Sequence, residues 1–600
     1  MKSLMLLWIK LAEESASRCH TSATMDCKTV QGRFKHEGLS FLTITLPEFG
    51  KDLQKGLERG QVDRDLFQGF TWRAGLPVFL RGFLDRVFDR NSGELLDEPC
   101  VHAIQCIRQL TLSFAKISLP CSDARERDAF RGYIECEKEV RTADHNLSSS
   151  NLEDFRRVSA TLFASMFSQV DRKIYNYELM PKHGPGATAD KMRGNAKYRL
   201  RTWTDRLENI FPAGEYLLPN WSFMDEYGDV DHLEPGSEIP CKVISVPKTQ
   251  KTPRIIAMEP TAMQYAQQAV LEAILESIGR NDYLSKFLGF DDQEPNQLMA
   301  KEGSQRGNLA TLDLSEASDR VSNQHVRNLL INHPYLHEAV DACRSRKAEV
   351  PGHGVIRLAK FASMGSALCF PFEAMVFLTI IFLGIERDLN SPLDRRTFKK
   401  YVDKVRVYGD DLIVPVDHVS SVVSMLDTFG CRVNTGKSFW TGKFRESCGK
   451  EYYNGSDVSI VRVRRVFPTH RKHVPEIISM VSLRNQLYFA GYFETVEWLD
   501  SLITKMIRHF PNVATSSSVL GRHSFNDHFD RHRYDVFLQR PQVKGYVVTS
   551  RLPSDPLDGS GALLKWFLKR GTLPFADRNH LERAGRPHAV DIKLRWANSY

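Results

Sequence analysis

Val405-Arg406-Val407-Tyr408-Gly409-Asp410-Asp411-Leu412-Ile413-Val414 sets two apolar runs on either side of one glycine and two acids. Strand-like segments joined through Gly-Asp predict a tight hairpin, because glycine at the first central position supplies the positive φ of a type II′ turn. The two acids then stand at the tip. Adjacent carboxylates on a rigid tip repel each other, and a hard divalent cation is the simplest way to keep both ionised. An ordinary surface turn uses the same residue types, so the surrounding sequence has to decide between the two.

Working outward, Leu309-Ala310-Thr311-Leu312-Asp313-Leu314-Ser315-Glu316-Ala317-Ser318-Asp319-Arg320 predicts an apolar strand that ends on an acid and runs into a helix start. Ser315 and Ser318 make a cap-like pattern there. Downstream, Phe361-Ala362-Ser363-Met364-Gly365-Ser366-Ala367 is a small-residue loop that lets a backbone approach a ligand or a neighbouring helix. It feeds an apolar run, Ala374 to Ile385, which falls short of the roughly 20 residues of a membrane span and predicts a buried helix. Beyond the Asp-Asp tip come a helix over Val419 to Phe429, a short strand, a turn Asn434-Thr435-Gly436-Lys437-Ser438, and a hairpin from Phe444 to Gly455.

Upstream, Lys242 to Pro260 predicts a basic β-ribbon in which Lys242, Lys248, Lys251 and Arg254 can face one triphosphate. Before it, Lys191, Arg193, Lys197, Arg199, Arg201 and Arg206 alternate with Tyr198 and Trp203, a composition that neutralises phosphates and stacks bases. The glycines of 184–186 lack the Gly-Lys-Ser/Thr of a Walker loop. From Pro475 to Phe510 the apolar spacing is helical, and His523, His528 and His532 do not share one helical face, which argues against a metal site there.

Composition bounds the answer. The 600 residues exceed one hydrophobic core, so two or three packed subdomains are expected. With 42% hydrophobic and 26% charged residues and no low-complexity tract, disorder and solenoid repeats are excluded. The net charge of +8 permits a polyanionic partner without demanding one. Eleven cysteines with no Cys-x-x-Cys pair indicate neither a zinc site nor a disulfide framework, as fits a reducing cytosol. Met1 to Ile9 predicts a short amphipathic helix in preference to a signal peptide, since Lys10, Glu13 and Glu14 follow at once. A start at Met25 would make that segment dispensable.

Taken in order, ribbon, strand-end acid, small-residue loop with helix, Asp-Asp hairpin and lysine turn resemble the palm of template-dependent nucleic-acid polymerases. Tyr408-Gly409-Asp410-Asp411 resembles RNA-dependent RNA polymerases more than reverse transcriptases. Asp313-Leu314-Ser315-Glu316-Ala317-Ser318-Asp319, Ser363-Met364-Gly365 and Phe444-Arg445-Glu446-Ser447-Cys448-Gly449 together resemble the replicase β subunit of the single-stranded RNA bacteriophages, from about Lys242 to Asp457. Ser366 stands where that family commonly has Asn, Cys369 where it has Thr, and Ser318 where many other viral polymerases carry Asp.

The resemblance implies an α+β right-hand fold with an antiparallel palm sheet. Residues 1–240 would form the N-terminal region and fingers, 241–455 the palm with a fingers-derived basic ribbon (catalytic core about 297–431), and 456–600 a helical thumb and C-terminal region. It implies RNA synthesis on an RNA template, with reverse transcription or a non-catalytic RNA-binding scaffold as alternatives. Phosphoryl transfer of this kind needs ligands that bridge two cations. Asp313 and Asp410 are the expected bridging pair, Asp411 the adjacent ligand, and the Leu314 carbonyl a possible completion. Two Mg²⁺ ions are expected, with Mn²⁺ able to substitute. Lys437 would protonate the departing pyrophosphate. Lys248, Arg254, Asp319, Ser363 and Gly365 would bind the nucleotide, and Lys197, Arg199 and Arg201 the RNA. The resemblance further implies nucleoside triphosphates, host elongation factors Tu and Ts and a ribosomal protein as partners, no membrane, and the cytoplasm of an infected bacterium as the location.

Overall fold

Apolar runs too long for a surface element force burial, and the chain is built around one of them. In the computed structural model, which describes residues 2–526, 528–550, 555–570 and 590–600, the elements that position the site are, in chain order, these. Helices α1 (Lys2–Arg18), α2 (Val101–Leu112), α3 (Asp123–Asn146) and α4 (Ser149–Tyr175) come first. Strands β1 (Cys241–Val246) and β2 (Arg254–Met258) form the ribbon, followed by α5 (Thr261–Gly279), β3 (Leu309–Ser315), β4 (Lys347–Val350) and β5 (Gly354–Arg357). Then come α6 (Cys369–Leu389), β6 (Arg406–Tyr408), β7 (Asp411–Pro415), α7 (Val419–Thr428), β8 (Arg432–Val433), β9 (Phe444–Ser447) and β10 (Lys450–Tyr453). The last are α8 (Val474–Phe489), α9 (Phe493–Ile507), β11 (Arg533–Asp535), β12 (Arg540–Ser550), α10 (Gly559–Leu568) and β13 (Val590–Asn598).

The α+β architecture expected from the sequence is present. Helix α6 is the run predicted at 374–385, extended by a turn at each end and buried almost throughout. Its length and apolarity would suffice to cross a membrane, yet 94% of its most apolar window is enclosed by the protein's own core. Against it lies an antiparallel sheet of order β6-β7-β3-β8. A second sheet of order β2-β1-β4-β5 carries the ribbon, with β1 parallel to β4 and its other pairings antiparallel. The ribbon register runs from Lys242 opposite Met258 to Val246 opposite Arg254, so Lys248 falls in the connecting turn.

Ser148 caps α4 by accepting from the Asn151 N–H, which gives the serine run before that helix a physical role. The helical expectation for 475–510 is met by α8 and α9. The remainder of the C-terminal region differs from a helical thumb, because β11, β12 and β13 pair into a three-stranded sheet.

The N-terminal segment is not dispensable to this architecture. Leu4, Leu7, Trp8 and Leu11 are buried, and the Trp8 indole N–H donates to the Leu110 carbonyl on α2 at 2.8 Å. Glu14, 6% exposed, accepts from the Glu494 and Thr495 N–H groups and from the Thr495 hydroxyl, capping α9 from 480 residues away. All eleven cysteines are free thiols. Glu14→Ala should therefore lower stability by roughly 1–3 kcal/mol, the cost of stranding buried donors. Its half-exposed neighbour provides the control, since Glu13→Ala should change little. Thermal unfolding of the two variants checks this, and a chain started at Met25 should be less stable than either.

Candidate active site

The hairpin at 405–414 forms as its residues dictate. Tyr408 pairs with Asp411, leaving Gly409 and Asp410 as the two central residues. Gly409 has φ +60 while Asp410 stays outside the left-handed region, the sign pattern of a type II′ turn. Glycine is needed here for a second reason: a Cβ would run into the Phe370 ring on α6 and approach the Glu373 carboxyl. Antiparallel pairing of β7 with β3 then places Asp411 directly opposite Asp313. The tip acids and the strand-end acid, 97 residues apart in the chain, meet at one end of the central sheet.

The turn after β8 wraps Asp313. Asn434 Nδ2 donates to Asp313 Oδ2 at 2.8 Å, and Lys437 Nζ lies 3.3 Å from Oδ1. The Ser438 hydroxyl accepts from the Asp313 N–H at 3.1 Å, and the Asn434 N–H donates to the Asp313 carbonyl at 2.8 Å. On the other flank, the β9–β10 turn brings the Cys448 N–H to Asp411 Oδ2 at 3.3 Å. Asn434, Ser438 and Cys448 had no signal in the sequence beyond lying in turns. Their roles follow from the pairing of β8 with β3 and the packing of the hairpin.

Electrostatics bind these groups together. Burial, then Asp410, Glu446 and Asp313, push the Asp411 carboxyl up to about 7. Asp410 is open to water at its tip but walled by protein elsewhere, and burial followed by Asp313 raises it too. Burial lowers Lys437, but Asp313, Glu446 and Asp410 outweigh it and leave the ammonium strengthened. Lys248 is pulled down by burial and by Arg254 and Lys437, while Asp410 and Asp313 act the other way, so the ribbon turn faces the acids. Behind the hairpin, burial takes Glu373 on α6 up to about 8, and the Ser318 hydroxyl donates to it at 2.5 Å. Ser318 thus serves a buried carboxyl rather than a helix cap.

The remaining expected nucleotide residues lie beside this centre. Asp319 Oδ1 accepts from Lys360 Nζ at 3.2 Å and from the Ser363 hydroxyl at 3.0 Å, and Lys360 sits 3.6 Å from the centre of the Tyr133 ring. Gly365 has φ +124, and a Cβ there would collide with the Ala257 carbonyl; the Ala257 N–H donates to the Met364 carbonyl at 2.7 Å. The small-residue loop therefore makes its close approach to the ribbon backbone.

The three residues expected to bind RNA are placed otherwise. Lys197 is 2% exposed and donates to the Gly184 and Gly186 carbonyls at 2.8 and 2.6 Å. Arg199 is ion-paired with Asp558 at the start of α10, and Arg201 with Glu226. Lys197 is removed from any open channel because its alternating neighbours Tyr198 and Leu200 pack inward and carry the short helical turn with them.

The donor chemistry at the sheet end suits a hard cation: carboxylate oxygens crowd together with two of them held above the usual range. As oriented, no three His, Cys, Asp or Glu side chains among the described residues enclose a single point at ligation distance, since Asp313 is turned to Asn434 and Lys437. Rotation of Asp313 away from Lys437 is the adjustment such a cation requires.

Comparison with known proteins agrees with this picture. Residues 236–496 match the family model "RNA replicase, beta-chain". The RNA-directed RNA polymerase subunit beta of Qbeta virus (strain MX1) is 35% identical over 247 residues, 41% of this chain and 38% of that protein. The beta chain of Escherichia phage MS2 is 32% identical over 248 residues, 41% and 40%. The corresponding subunit of Enterobacteria phage SP is 34% identical over 283 residues, 47% and 45%. The matched stretch thus spans about two-fifths of these relatives' length. Among solved structures, the RNA-dependent RNA polymerase of a human picobirnavirus covers 44% of this chain and 55% of its own, at 12% identity and a TM-score of 0.31.

Protonation of Asp411 gives a test of the electrostatic account. The folded carboxyl holds its proton up to about 7, whereas the unfolded one loses it near 3.8. Between these values the folded state binds more protons, so stability falls as pH rises from about 4 to about 7 and is level beyond. In chelator, the unfolding temperature of wild type minus that of Asp411→Asn should decline across that window and then flatten. A difference independent of pH would mean that Asp411 titrates as an ordinary surface acid.

Proposed function

We propose that this chain is the catalytic subunit of an RNA-directed RNA polymerase that replicates a viral RNA genome in a bacterial cytoplasm. The observation that carries the reading is the convergence of Asp313, Asp410 and Asp411 on paired strands, faced by Lys437 from one side and Lys248 from the other. The match of 236–496 to the replicase beta-chain family model supports it. In this reading residues 1–240 supply the N-terminal region and fingers, 241–455 the palm and its ribbon, and 456–600 the thumb with the C-terminal sheet. Elongation factors Tu and Ts and a ribosomal protein of the host belong to the proposal through the phage resemblance alone.

Asp313, Asp410 and Asp411 would hold two Mg²⁺ ions, for which an all-oxygen donor set is suited and Mn²⁺ is an acceptable substitute. When bound, such ions neutralise charge on the attacking and leaving oxygens of an in-line displacement. The chain's own residues do the rest. Lys248 and Arg254, in and beside the ribbon turn, orient the triphosphate so that its α-phosphorus faces the RNA 3′-oxygen. As the new O–P bond forms and the bond to the β-phosphate oxygen breaks, Lys437 gives its proton to the departing pyrophosphate. That role suits an ammonium held strongly protonated among carboxylates in the free protein. Asp319 and Ser363, hydrogen-bonded to each other, would contact the nucleotide, and Gly365 holds their loop against the ribbon. RNA phosphates would be met by Arg254 and by half-exposed Arg199 in exchange for Asp558, but not by Lys197.

Asp313→Asn and Asp410→Asn should each lower primer-extension turnover by at least about 10³-fold, equivalent to about 4 kcal/mol of barrier, with template binding nearly intact. A folded variant that keeps a tenth of wild-type turnover would remove that residue from the site. Ribonucleotides should be incorporated on RNA in strong preference to deoxyribonucleotides; the reverse preference would make the enzyme a reverse transcriptase.

Lys437→Leu should reduce the single-turnover incorporation rate at least about tenfold while nucleotide affinity changes little, since proton donation to the leaving group acts in the transition state. Loss of affinity without loss of rate would instead make Lys437 a triphosphate clamp.

A further inference from the structure

The sheet that carries the ribbon has a second charged feature at the end away from the catalytic acids. Lys347 on β4 and Arg357 on β5 are direct cross-strand partners. Like charges placed opposite each other on antiparallel strands repel and weaken the pairing. Nearby acids do not relieve this. Glu238 is held by Arg206 through two hydrogen bonds of 2.6 and 2.7 Å, and Asp341 by Arg346 at 2.5 Å. Glu349, two residues along β4, stands opposite Val355 and beside Lys242. Among the described residues neither Lys347 nor Arg357 is ion-paired with any carboxylate, and Lys347 Nζ makes only a 3.2 Å bond to the Gly236 carbonyl.

The two cations line a pocket of about 200 Å³ whose other walls include Ile239, Met263, Ser345 and the Arg206-paired Glu238. Met263 is 2% exposed and gives the pocket an apolar floor, while the Ser345 hydroxyl is committed to buried Glu259. The pocket is lined by Ile239, just before β1 begins, whereas Lys248 and the three acids lie past the far end of that strand. Six residues of strand, roughly 20 Å at about 3.3 Å per residue, separate the two.

We propose that this pocket is a second binding site for a nucleoside phosphate unit, with the phosphate between Lys347 and Arg357 and the base on the Met263 floor. A bridging phosphate turns the cross-strand repulsion into two charge-assisted contacts, and an apolar floor of this size takes one base rather than an extended ligand. The unit comes from an RNA strand or from a free nucleotide. The pocket's own chemistry defines this site, independently of the catalytic assignment.

Site-resolved photocrosslinking of the full chain tests it with two probes, a short 4-thiouridine oligoribonucleotide and 8-azido-ATP. In the wild type, one or both should attach to peptides bearing 235–239 or Met263. In the Lys347→Gln/Arg357→Gln double variant that attachment should fall at least about tenfold, while primer extension at saturating template is unchanged. Attachment of the oligomer alone assigns the site to an RNA strand, and of 8-azido-ATP alone to a free nucleotide. The unfolding temperature of the ligand-free double variant should equal or exceed that of the wild type, because repulsion has been removed. Absence of crosslinks at these peptides, crosslinks that persist in the variant, or a variant less stable than the wild type without ligand would each overturn the proposal.

Discussion

Placing three carboxylates at one end of one sheet is the constraint on which the rest depends. The pairing of β7 with β3 fixes Asp411 opposite Asp313 whether or not their charges are compensated, because the buried runs Leu412-Ile413-Val414 and Leu309-Ala310-Thr311-Leu312 set the register. Both faces of these strands are packed, so a slip by one residue would exchange every side chain between two fitted layers and misfit both. The apolar core therefore holds the acids together against their repulsion. The repulsion is answered locally, by Lys437 and Asn434 on Asp313, by the Cys448 N–H on Asp411, and by partial protonation of Asp411.

The same constraint explains what lies behind the hairpin. Gly409 packs on Phe370, so α6 cannot carry a charged residue freely at the level of the turn, yet it carries Glu373 there. An ionised Glu373 would add a fourth negative charge to the cluster. Burial raises it to about 8, and the Ser318 hydroxyl donates to the carboxyl that remains protonated there.

The parts of this molecule legible in its sequence are those whose signal is local. The Gly-Asp turn, the apolar run of α6, the ribbon at 241–258 and the order of the motifs each reside in a few adjacent residues, and the structure forms them where the pattern lies. Asn434, Ser438 and Cys448 were invisible because a turn residue acquires its partner only when distant strands pair. Lys197 misled for a related reason. Alternating basic and aromatic residues describe a nucleic-acid surface as well as they describe a short helical turn whose aromatic side is buried, and the difference is made by Gly184 and Gly186, whose carbonyls capture the ammonium. Gly365 was read as room for a ligand when the room is taken by Ala257 of the ribbon. The site itself was therefore more legible than its supports.

Long-range ties of this kind also decide how the two ends of the chain take part. Glu14 caps α9, and Arg18 donates to the Ala490 and Gly491 carbonyls, so the first helix organises the helical pair that follows the palm. At the other end, α10 returns to the segment before the ribbon: Asp555 accepts from the Asn195 N–H, Asp558 pairs with Arg199, and Lys565 lies over the Tyr198 ring. The sheet that bears the three acids contributes none of these contacts. The ribbon turn that carries Lys248 has outside ties of its own: the Cys121 thiol donates to the Thr249 carbonyl at 3.1 Å and Arg125 to the Gln250 carbonyl at 2.9 Å. A sheet can bring carboxylates together by register alone, but a cation that faces them from another sheet depends on the contacts that hold that sheet's turn in place.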